Sequence, residues 1–264
     1  MAHQSGKNGG VYTSSLLIED CQDAWNEHTE AGVAHSTTAP GYIGTNCARE
    51  TTTAVGIAVL ASEVIVKNLT AYDAVVWYAR SSLSPTAGQL ALLLDDHAEC
   101  VSPLETLPYP ALTATVWKQC FAKLSDPSLL AALISVGVSS VADLANGTFD
   151  IDMVRALAEI DGIKSWSLEY TASMLDVTDF ANSGVSAFIP GITEWHGSFE
   201  GYKEGVPLGI GAEVYLVLGE TNTAYQGWMG KAIITNARPN VDHDGLVSYS
   251  YDFQGTAGLE SPSA

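Results

Sequence analysis

One group of acidic residues beside a histidine is the part of this sequence best suited to chemistry. The apolar run Gln89–Asp95 leads into Asp95, Asp96, His97 and Glu99. Carboxylates of this kind can serve acid–base catalysis or supply oxygen ligands to a cation. Because the group stands at the end of a predicted strand, we expect a solvated turn there instead.

Other signs of catalysis or metal binding are missing from the sequence. None of the six histidines has a second histidine four residues away or a cysteine placed for a metal-site pattern. The stretch DHDG at 242–245 ends in Asp-Gly, which is a hairpin-turn signal. No nucleophile elbow, Walker loop or glycine-rich nucleotide motif occurs. The sequence therefore predicts no enzyme activity, no cofactor and no metal site.

The four cysteines, Cys21, Cys47, Cys100 and Cys120, have irregular spacing without a C-x-x-C pair. This spacing argues against zinc. Four buried free thiols are the expected state for a protein made in the cytosol. Disulfides joining Cys21 to Cys47 or Cys100 to Cys120, formed after release into an oxidising medium, remain the alternative.

Composition limits the partners of this 264-residue chain. Eleven basic and 30 acidic residues give a net charge of −19, which opposes a counterion-releasing grip on nucleic acid. The first residues, MAHQSGKNGG, lack the apolar core of a signal peptide, and no run is long enough to span a membrane. We expect a protein that is soluble in the cell that makes it and has no membrane partner.

Short strands separated by turn residues fill the region from Leu16 to Arg155 and predict an all-β sandwich. The clearest of these strands are Ala74–Arg80, Gln89–Asp95, Thr115–Lys123, Ala131–Val141 and Thr148–Arg155. Helical periodicity competes only around residues 128–144. There the β-branched residues favour a buried strand.

The same region resembles jelly-roll modules of the carbohydrate-binding type, over residues 15–156. The segments that carry the resemblance are IEDCQDAW, NLTAYDAVVWYARSS, GQLALLLDD, PALTATVWKQC and TFDIDMVRA. The resemblance implies the fold more than it implies sugar binding. By analogy with such modules, Glu19, Asp20 and Asp152 could hold a structural calcium ion.

Three tryptophans of this region, Trp25, Trp77 and Trp117, could stack against a sugar. Trp77 lies in an apolar run and is expected in the core. Trp25 is flanked by polar residues, and of the three it is the one that could be exposed to solvent.

The rest of the chain also predicts strands, and here apolar and polar residues alternate. The predicted strands are Ile163–Ala172, Thr193–Tyr202, Glu213–Leu218, Tyr225–Ile234 and Leu246–Gln254. In the first, Trp166 and Leu168 point one way and Ser165 and Ser167 the other. In the second strand, Gly197 and Gly201 would allow close backbone approach.

This part resembles the tail tube proteins of long-tailed bacteriophages. The resembling segments are HQSGKNGGVY, IKSWSLEYTASMLDVTDF, FIPGITEWHGSFEGY and YQGWMGKAIITNARPNVDHDGLVSYSYDFQGTAGL. In that family the GKNGxVY strand runs almost directly into the strand that here contains KSWSLE. The resemblance thus implies a discontinuous β-barrel of residues 1–14 and 156–264, interrupted by a jelly-roll domain of residues 15–155.

Two structural consequences follow from this interpretation. The GKNGGVY strand should pair with the KSWSLE strand. The opening strand of the insert near Leu17 and its closing strand near Asp152 should be neighbours, because an insertion needs its ends close together.

One polar side of the alternating strands is a candidate channel wall. Its residues are Ser165, Ser167, Glu169, Glu194, His196, Ser198, Glu200, Ser248, Ser250 and Asp252. Alternation by itself is equally consistent with a water-facing sheet surface. The tail-tube resemblance implies hexameric rings, stacked so that DNA passes through without specific binding. An acidic, hydroxyl-rich lining would repel phosphates.

The connection from Leu175 to Ile192 is long for a hairpin loop. It would expose apolar side chains, and we expect Asp179, Phe180, Phe188 and Ile189 to contact a neighbouring subunit or the next ring. A loop folded over its own barrel is the alternative.

The predicted function is a virion structural protein of the phage tail tube, assembled in the host cytoplasm with other tail proteins. The insert would be displayed outside, as decoration, as a ring stabiliser or as a weak adhesin for cell-surface glycans. The alternative is a carbohydrate-binding adhesin or a capsid decoration protein.

Overall fold

The structure is a computed structural model that describes residues 10–53, 58–142, 144, 146–178, 185–202, 207–221, 226–241 and 245–260. The chain is all-β, as predicted, and the strand pairs whose registers are defined are antiparallel. Helical structure in these ranges consists of two 3₁₀ turns, Ala98–Cys100 and Pro127–Leu129. No helix among the described residues is long and apolar enough to cross a membrane.

Within the described residues, fifteen strands follow one another. They are β1 (Gly10–Glu19), β2 (Val33–Thr38), β3 (Cys47–Thr52), β4 (Ala58–Lys67), β5 (Ala74–Ser81), β6 (Leu90–Asp95), β7 (Glu105–Pro108), β8 (Lys118–Lys123), β9 (Leu133–Ser140), β10 (Thr148–Glu159), β11 (Ile163–Asp176), β12 (Phe188–Tyr202), β13 (Glu213–Thr221), β14 (Gln226–Asn240) and β15 (Ser248–Gly255).

The described chain divides into two compact units. The terminal unit consists of residues 10–13 and 160–260, and the inserted unit of residues 14–159. Strand β1 supplies residues to both, since the division falls after Thr13.

The inserted unit is a β-sandwich. One sheet has the order β2-β3-β10-β5-β8, with β1 also beside β10, and the other has the order β4-β9-β6-β7. Apolar side chains of both sheets, among them Trp77, Leu92 and Val136, form one buried core. The pairing of β1 with β10 confirms that the opening and closing strands of the insert are neighbours.

Local backbone chemistry explains where the strands of the insert depart from prediction. Strand β8 begins at Lys118 rather than Thr115, because Thr115 has a left-handed φ of 66° and lies in a turn. The ambiguous run around Gly137 is strand β9, as predicted. Strands β2, β3, β4 and β7 were not predicted; β2 and β3, for example, read VAHSTT and CARETT, which lack a continuous apolar run.

The terminal unit is an antiparallel sheet of order β11-β12-β15-β14-β13, with the start of β1 beside β13. Its buried core includes Trp195, Phe199, Leu216, Ile234 and Phe253. Residues 6–9 of GKNGGVY lie outside the described residues. Its residues 10–12 lie in β1, beside β13 and β10 rather than β11, so the expected pairing with the KSWSLE strand is wrong for them. Strand β11 pairs with β12 as a hairpin, which closes a much shorter loop than a pairing across the insert would.

Candidate functional site

Cross-strand register gathers the candidate channel residues on one surface, the polar face, which consists of the outward side chains of β11, β12 and β15. Ser165 lies opposite Glu200 and Glu200 opposite Ser250, which makes one row across three strands. The next row is Ser167, Ser198 and Asp252, and the third is Glu169, His196 and Gln254. Glu194 lies opposite Thr171, one step farther along β12. The aromatic residues that alternate with these rows lie on the core side.

Hydrogen bonds and ion pairs tie the polar face together. The hydroxyl oxygens of Ser167 and Ser198 are 3.0 Å apart. Glu169 Oε2 is 3.4 Å from His196 Nε2. Asp252 accepts hydrogen bonds from Arg238 of β14, which also forms an ion pair with it.

These contacts make the polar face less acidic than its sequence suggested. Arg238 compensates the charge of Asp252. Lys164 and Arg238 also line one depression with Glu200, although neither forms an ion pair with it within the described residues. The face therefore presents four carboxylates together with two cations and a histidine.

Glycines set how closely the strands of the terminal unit pack. A Cβ atom on Gly197 would lie 2.1 Å from the backbone oxygen of Ser167, and one on Gly201 would lie 2.3 Å from that of Gly162. This confirms the predicted close backbone approach. Trp195 lies over Gly255, where a Cβ would come within 2.2 Å of the indole, and its Nε1 donates to Ala257 O at 2.8 Å.

Strands extend into both ends of the predicted loop from Leu175 to Ile192, which corrects its boundaries. Strand β11 continues to Asp176, and β12 begins at Phe188. Phe188 and Ile189, assigned to the loop from sequence, are in β12 and pair with Asp176 and Leu175. Asp179 and Phe180 lie outside the described residues.

This extended end of the hairpin exposes apolar side chains on both strands. The exposed residues are Met174, Leu175, Val177, Phe188, Ile189 and Ile192, and Ile192 is 83% exposed. Several neighbouring apolar side chains exposed together are typical of an interaction surface. The apolar surface expected on the loop thus lies on the paired end of β11 and start of β12, which we call the arm.

The tryptophans of the inserted unit do not form a sugar-stacking surface together. Trp77 is buried, as predicted, and its ring centroid lies 5.2 Å from that of Tyr109. Trp25 is 0% exposed, so the exposure considered for it is wrong. Although its neighbours in the sequence are polar, the Trp25 side chain belongs to the core.

Trp117 instead packs on Arg80, which lines a groove that the sequence did not reveal. The groove measures about 360 Å³ and is lined by Thr38, Ala39, Arg49, Arg80, Ser81, Ser82, Thr115, Thr148 and Asp150. Asp150 of β10 lies directly opposite Arg49 of β3 and Arg80 of β5. We call these three residues the Arg-Asp-Arg row.

Charged hydrogen bonds hold this row. Arg49 donates through Nε to Asp150 Oδ1 at 2.6 Å and through Nη2 to Oδ2 at 2.9 Å. Arg80 Nε donates to the same Oδ2 at 2.7 Å. The hydrogen bond to Asp150 raises the pKa of Arg49 above its usual value. The segment TFDID contained a signal for this site, because a polar Asp150 alternates there with apolar Phe149 and Ile151.

Aromatic rings surround Arg80. Its guanidinium carbon lies 4.6 Å from the centroid of the Trp117 ring, in cation–π geometry. The Tyr42 ring stacks on Tyr78 at 4.3 Å and lies 5.7 Å from Trp117. Tyr42 is exposed and Trp117 half-buried.

The four cysteines are buried and free. Burial raises the pKa of the Cys47 and Cys100 thiols to about 12. At neutral pH these thiols stay protonated and chemically quiet. The disulfide alternative for Cys21, Cys47, Cys100 and Cys120 is not realised.

The acidic turn after β6 is solvated at Asp96, His97 and Glu99, as expected, but not at Asp95. The Asp95 side chain is buried and accepts hydrogen bonds from Ser102 N at 2.8 Å and His97 N at 3.2 Å. Among the described residues, Asp95, Asp96 and His97 form a group that could hold a metal ion, since their possible ligand atoms lie within 4.8 Å of one another.

Glu19, Asp20 and Asp152, considered for calcium by analogy, do not come together as such a ligand set. Asp152 Oδ2 accepts a hydrogen bond from Ile43 N at 2.8 Å, and Glu19 Oε1 accepts from Asp20 N and Cys21 N. These carboxylates stabilise turns of the insert through backbone hydrogen bonds.

A buried acid–histidine pair was also missed from sequence. Glu50 Oε2 lies 2.5 Å from His35 Nδ1, where β2 and β3 pair. Burial, and then the charge of Asp150, raise the pKa of Glu50 to about 9, while burial lowers the pKa of His35. Both groups are therefore neutral in the folded chain near pH 7, with one proton in the hydrogen bond between them.

No protein-family model matches this chain, and neither does any curated protein. Among solved structures, the tail of an empty gene transfer agent particle, determined in C6 symmetry, is 16% identical, with a TM-score of 0.34 over 40% of this chain and 87% of that one. The virion of a native gene transfer agent gives 18% identity and a TM-score of 0.34, over 41% and 89%.

A third structure, the N-terminal CBM22-1–CBM22-2 tandem domain of Paenibacillus barcinonensis Xyn10C, is 14% identical, with a TM-score of 0.36 over 99% of this chain and 93% of that one. Scores at this level do not establish a common fold.

Proposed function

We propose that this protein is a phage tail tube subunit, whose terminal unit assembles into stacked hexameric rings around a DNA channel. The observation that carries the proposal is the register of β11, β12 and β15, which places the predicted lining residues in rows on one exposed face over an aromatic core. The sequence resembles tail tube proteins, and in a tube of stacked rings such a face would line the channel.

The apolar arm at the ends of β11 and β12 supports assembly independently of the polar face. Leu175, Phe188 and Ile189 expose hydrophobic side chains that a second copy of the chain would cover. The inserted unit would project outside the tube, because a domain of its size would block a channel only wide enough for duplex DNA. The protein would then reside in the virion, in contact with other tail proteins.

Electron microscopy tests this function directly. The purified full chain at high concentration should form rings or hollow rods in negative stain, and sedimentation velocity should show species much larger than a monomer. Dispersed monomers at every concentration and ionic strength tried would contradict the proposal.

A second function, glycan binding by the inserted unit, is supported by the groove beside Trp117. An exposed Tyr42 and a half-buried Trp117 next to polar residues are the combination that packs against the apolar face of a sugar and bonds its hydroxyls. A glycan array compares the wild-type chain with Trp117→Ala. The matched control is Val116→Ala, an exposed neighbour outside the groove.

A further inference from the structure

We propose that the groove of the inserted unit selects acidic saccharides, those that carry a carboxylate, through the Arg-Asp-Arg row. This proposal rests on the second function above, glycan binding by the inserted unit. It does not depend on tube assembly.

The balance of charge in the groove is the first argument. Arg49, Arg80 and Asp150 are the charged residues among those that line it, so two cations face one carboxylate. The groove thus keeps a net positive charge in a chain whose overall charge is −19. Such a local excess attracts an anionic group while the rest of the protein repels it.

Asp150 has two arginine partners, although one would balance its charge. Asp150 has a side chain that is 2% exposed, and Arg49 alone satisfies both of its oxygens with a bidentate pair. Arg49 already neutralises the charge of Asp150, so an ion pair across β3 and β10 needs no second cation. A second guanidinium adds a desolvation penalty that Asp150 does not require. A ligand carboxylate would give Arg80 a full partner.

The unused donors are the third argument. Each guanidinium carries five N–H groups in a planar fork that matches a carboxylate. The hydrogen bonds and ion pairs with Asp150 involve Nε and Nη2 of both arginines, and within the described residues Nη1 of neither makes a hydrogen bond. The Arg49 and Arg80 side chains remain 28% and 22% exposed, so a ligand can reach them.

The remaining lining fits a sugar rather than a bare anion. Ser82, Thr115 and Thr148, which carry hydroxyls, line the groove, and the Trp117 ring packs on Arg80. Sugar hydroxyls can bond to the former, and a pyranose face can pack on the latter. The charged row would then distinguish an acidic sugar from its neutral counterpart.

The test measures binding of the full chain to oligosaccharides that differ only in charge. Isothermal titration uses oligomers of galacturonate, glucuronate and N-acetylneuraminate, each paired with the same oligomer after reduction of its carboxyl groups. At least one acidic oligomer should bind ten-fold or more tightly than its reduced counterpart. The advantage should shrink as the salt concentration rises.

Arg49→Gln should reduce that selectivity to below three-fold. The positive charge of Arg80 is then balanced by Asp150, and the groove has no net positive charge. Lys67→Gln, which removes a cation from β4 outside the groove, should leave the selectivity unchanged. If Arg49→Gln does not fold, as shown by its melting curve, the selectivity of the wild-type chain decides the proposal alone. Equal affinity for acidic and reduced oligomers would refute acidic selectivity but keep glycan binding. Binding of neither would refute both.

Discussion

Leu175 on β11 lies directly opposite Ile189 on β12, and both side chains are about half exposed. A cross-strand pair of aliphatic residues stabilises a hairpin, but a solvent-facing pair leaves apolar surface exposed to water unless a partner covers it. The pair therefore links the local structure of the arm to the proposed assembly.

Replacing both residues with threonine should prevent ring and rod formation while leaving the monomer folded. Threonine is β-branched and suits a strand, but it removes most of the apolar contact. The control is Val64→Thr with Val66→Thr, exposed positions of β4. Negative stain compares the two doubles, and rods of normal length from the Leu175/Ile189 variant would show that the arm does not join subunits.

Charge reversal of the polar face, by Glu169→Lys with Glu200→Lys, should make assembled tubes retain DNA. The face already contains Arg238 and Lys164, so two more cations would change its net charge from negative to positive. Phosphate contacts would then form and would weaken with salt. Ejection from reconstituted particles should be slower at low ionic strength.

The matched control reverses Asp20 and Asp96, two exposed acids of the inserted unit. It changes the total charge equally but leaves the polar face intact. Ejection at the wild-type rate through both kinds of particle would mean that the polar face does not line the channel.

Packing of Trp195 predicts different effects for two glycines close together in the chain. Gly255→Ala would place a methyl group 2.2 Å from the indole and should destabilise the terminal unit by about 1–3 kcal/mol. Gly258→Ala meets no atom within 4 Å and should change stability by less than about 0.5 kcal/mol. Urea denaturation followed by tryptophan fluorescence measures both, and equal midpoints would contradict the packing.

Burial of Trp25 predicts a core effect where surface binding had been considered. Trp25→Ala should destabilise the inserted unit by about 3–5 kcal/mol, because it removes a fully buried tryptophan from the core. Trp25→Phe should cost less, since the indole N–H has no hydrogen-bond partner within the described residues. Thermal melts rank the variants, and an unchanged melting temperature for Trp25→Ala would place the side chain at the surface.

Protonation of Glu50 predicts a loss of stability at alkaline pH. Its pKa is raised to about 9 in the folded chain, whereas the unfolded chain has the ordinary value near 4.5. Between these values the unfolded state releases a proton that the folded state keeps, so the free energy of unfolding falls as the pH rises from about 5 to about 9. Glu50→Gln should flatten this decline.

Part of the slope should remain in Glu50→Gln, because burial and a hydrogen bond with Glu27 raise the pKa of Glu63 to about 8. Glu159→Gln, at an exposed ion pair with Lys123, serves as control and should keep the wild-type slope. Urea midpoints measured between pH 5 and 9 give the three curves. Identical slopes in wild type and Glu50→Gln would show that Glu50 is ionised in the folded chain.

The sequence by itself determined the β class and the two faces of β11, β12 and β15. Strict alternation fixes which side chains share a face, so Ser167 and Ser198 could be assigned to the polar face before their register was known. The resemblances added the division of the chain and the tail-tube interpretation. Trp77 was predicted in the core because its neighbours in the chain are apolar.

Tertiary structure alone decided what depends on contacts between distant residues. Trp25 is core because the sandwich closes over it, whatever the polarity of its neighbours. Strand β1 lies between β13 and β10 rather than beside β11, a choice of neighbour that alternation within a strand does not encode. Arg49, Arg80 and Asp150 meet only because β3, β10 and β5 align, about 30 to 100 positions apart, and periodicity within a strand carries no information about which strand lies beside it.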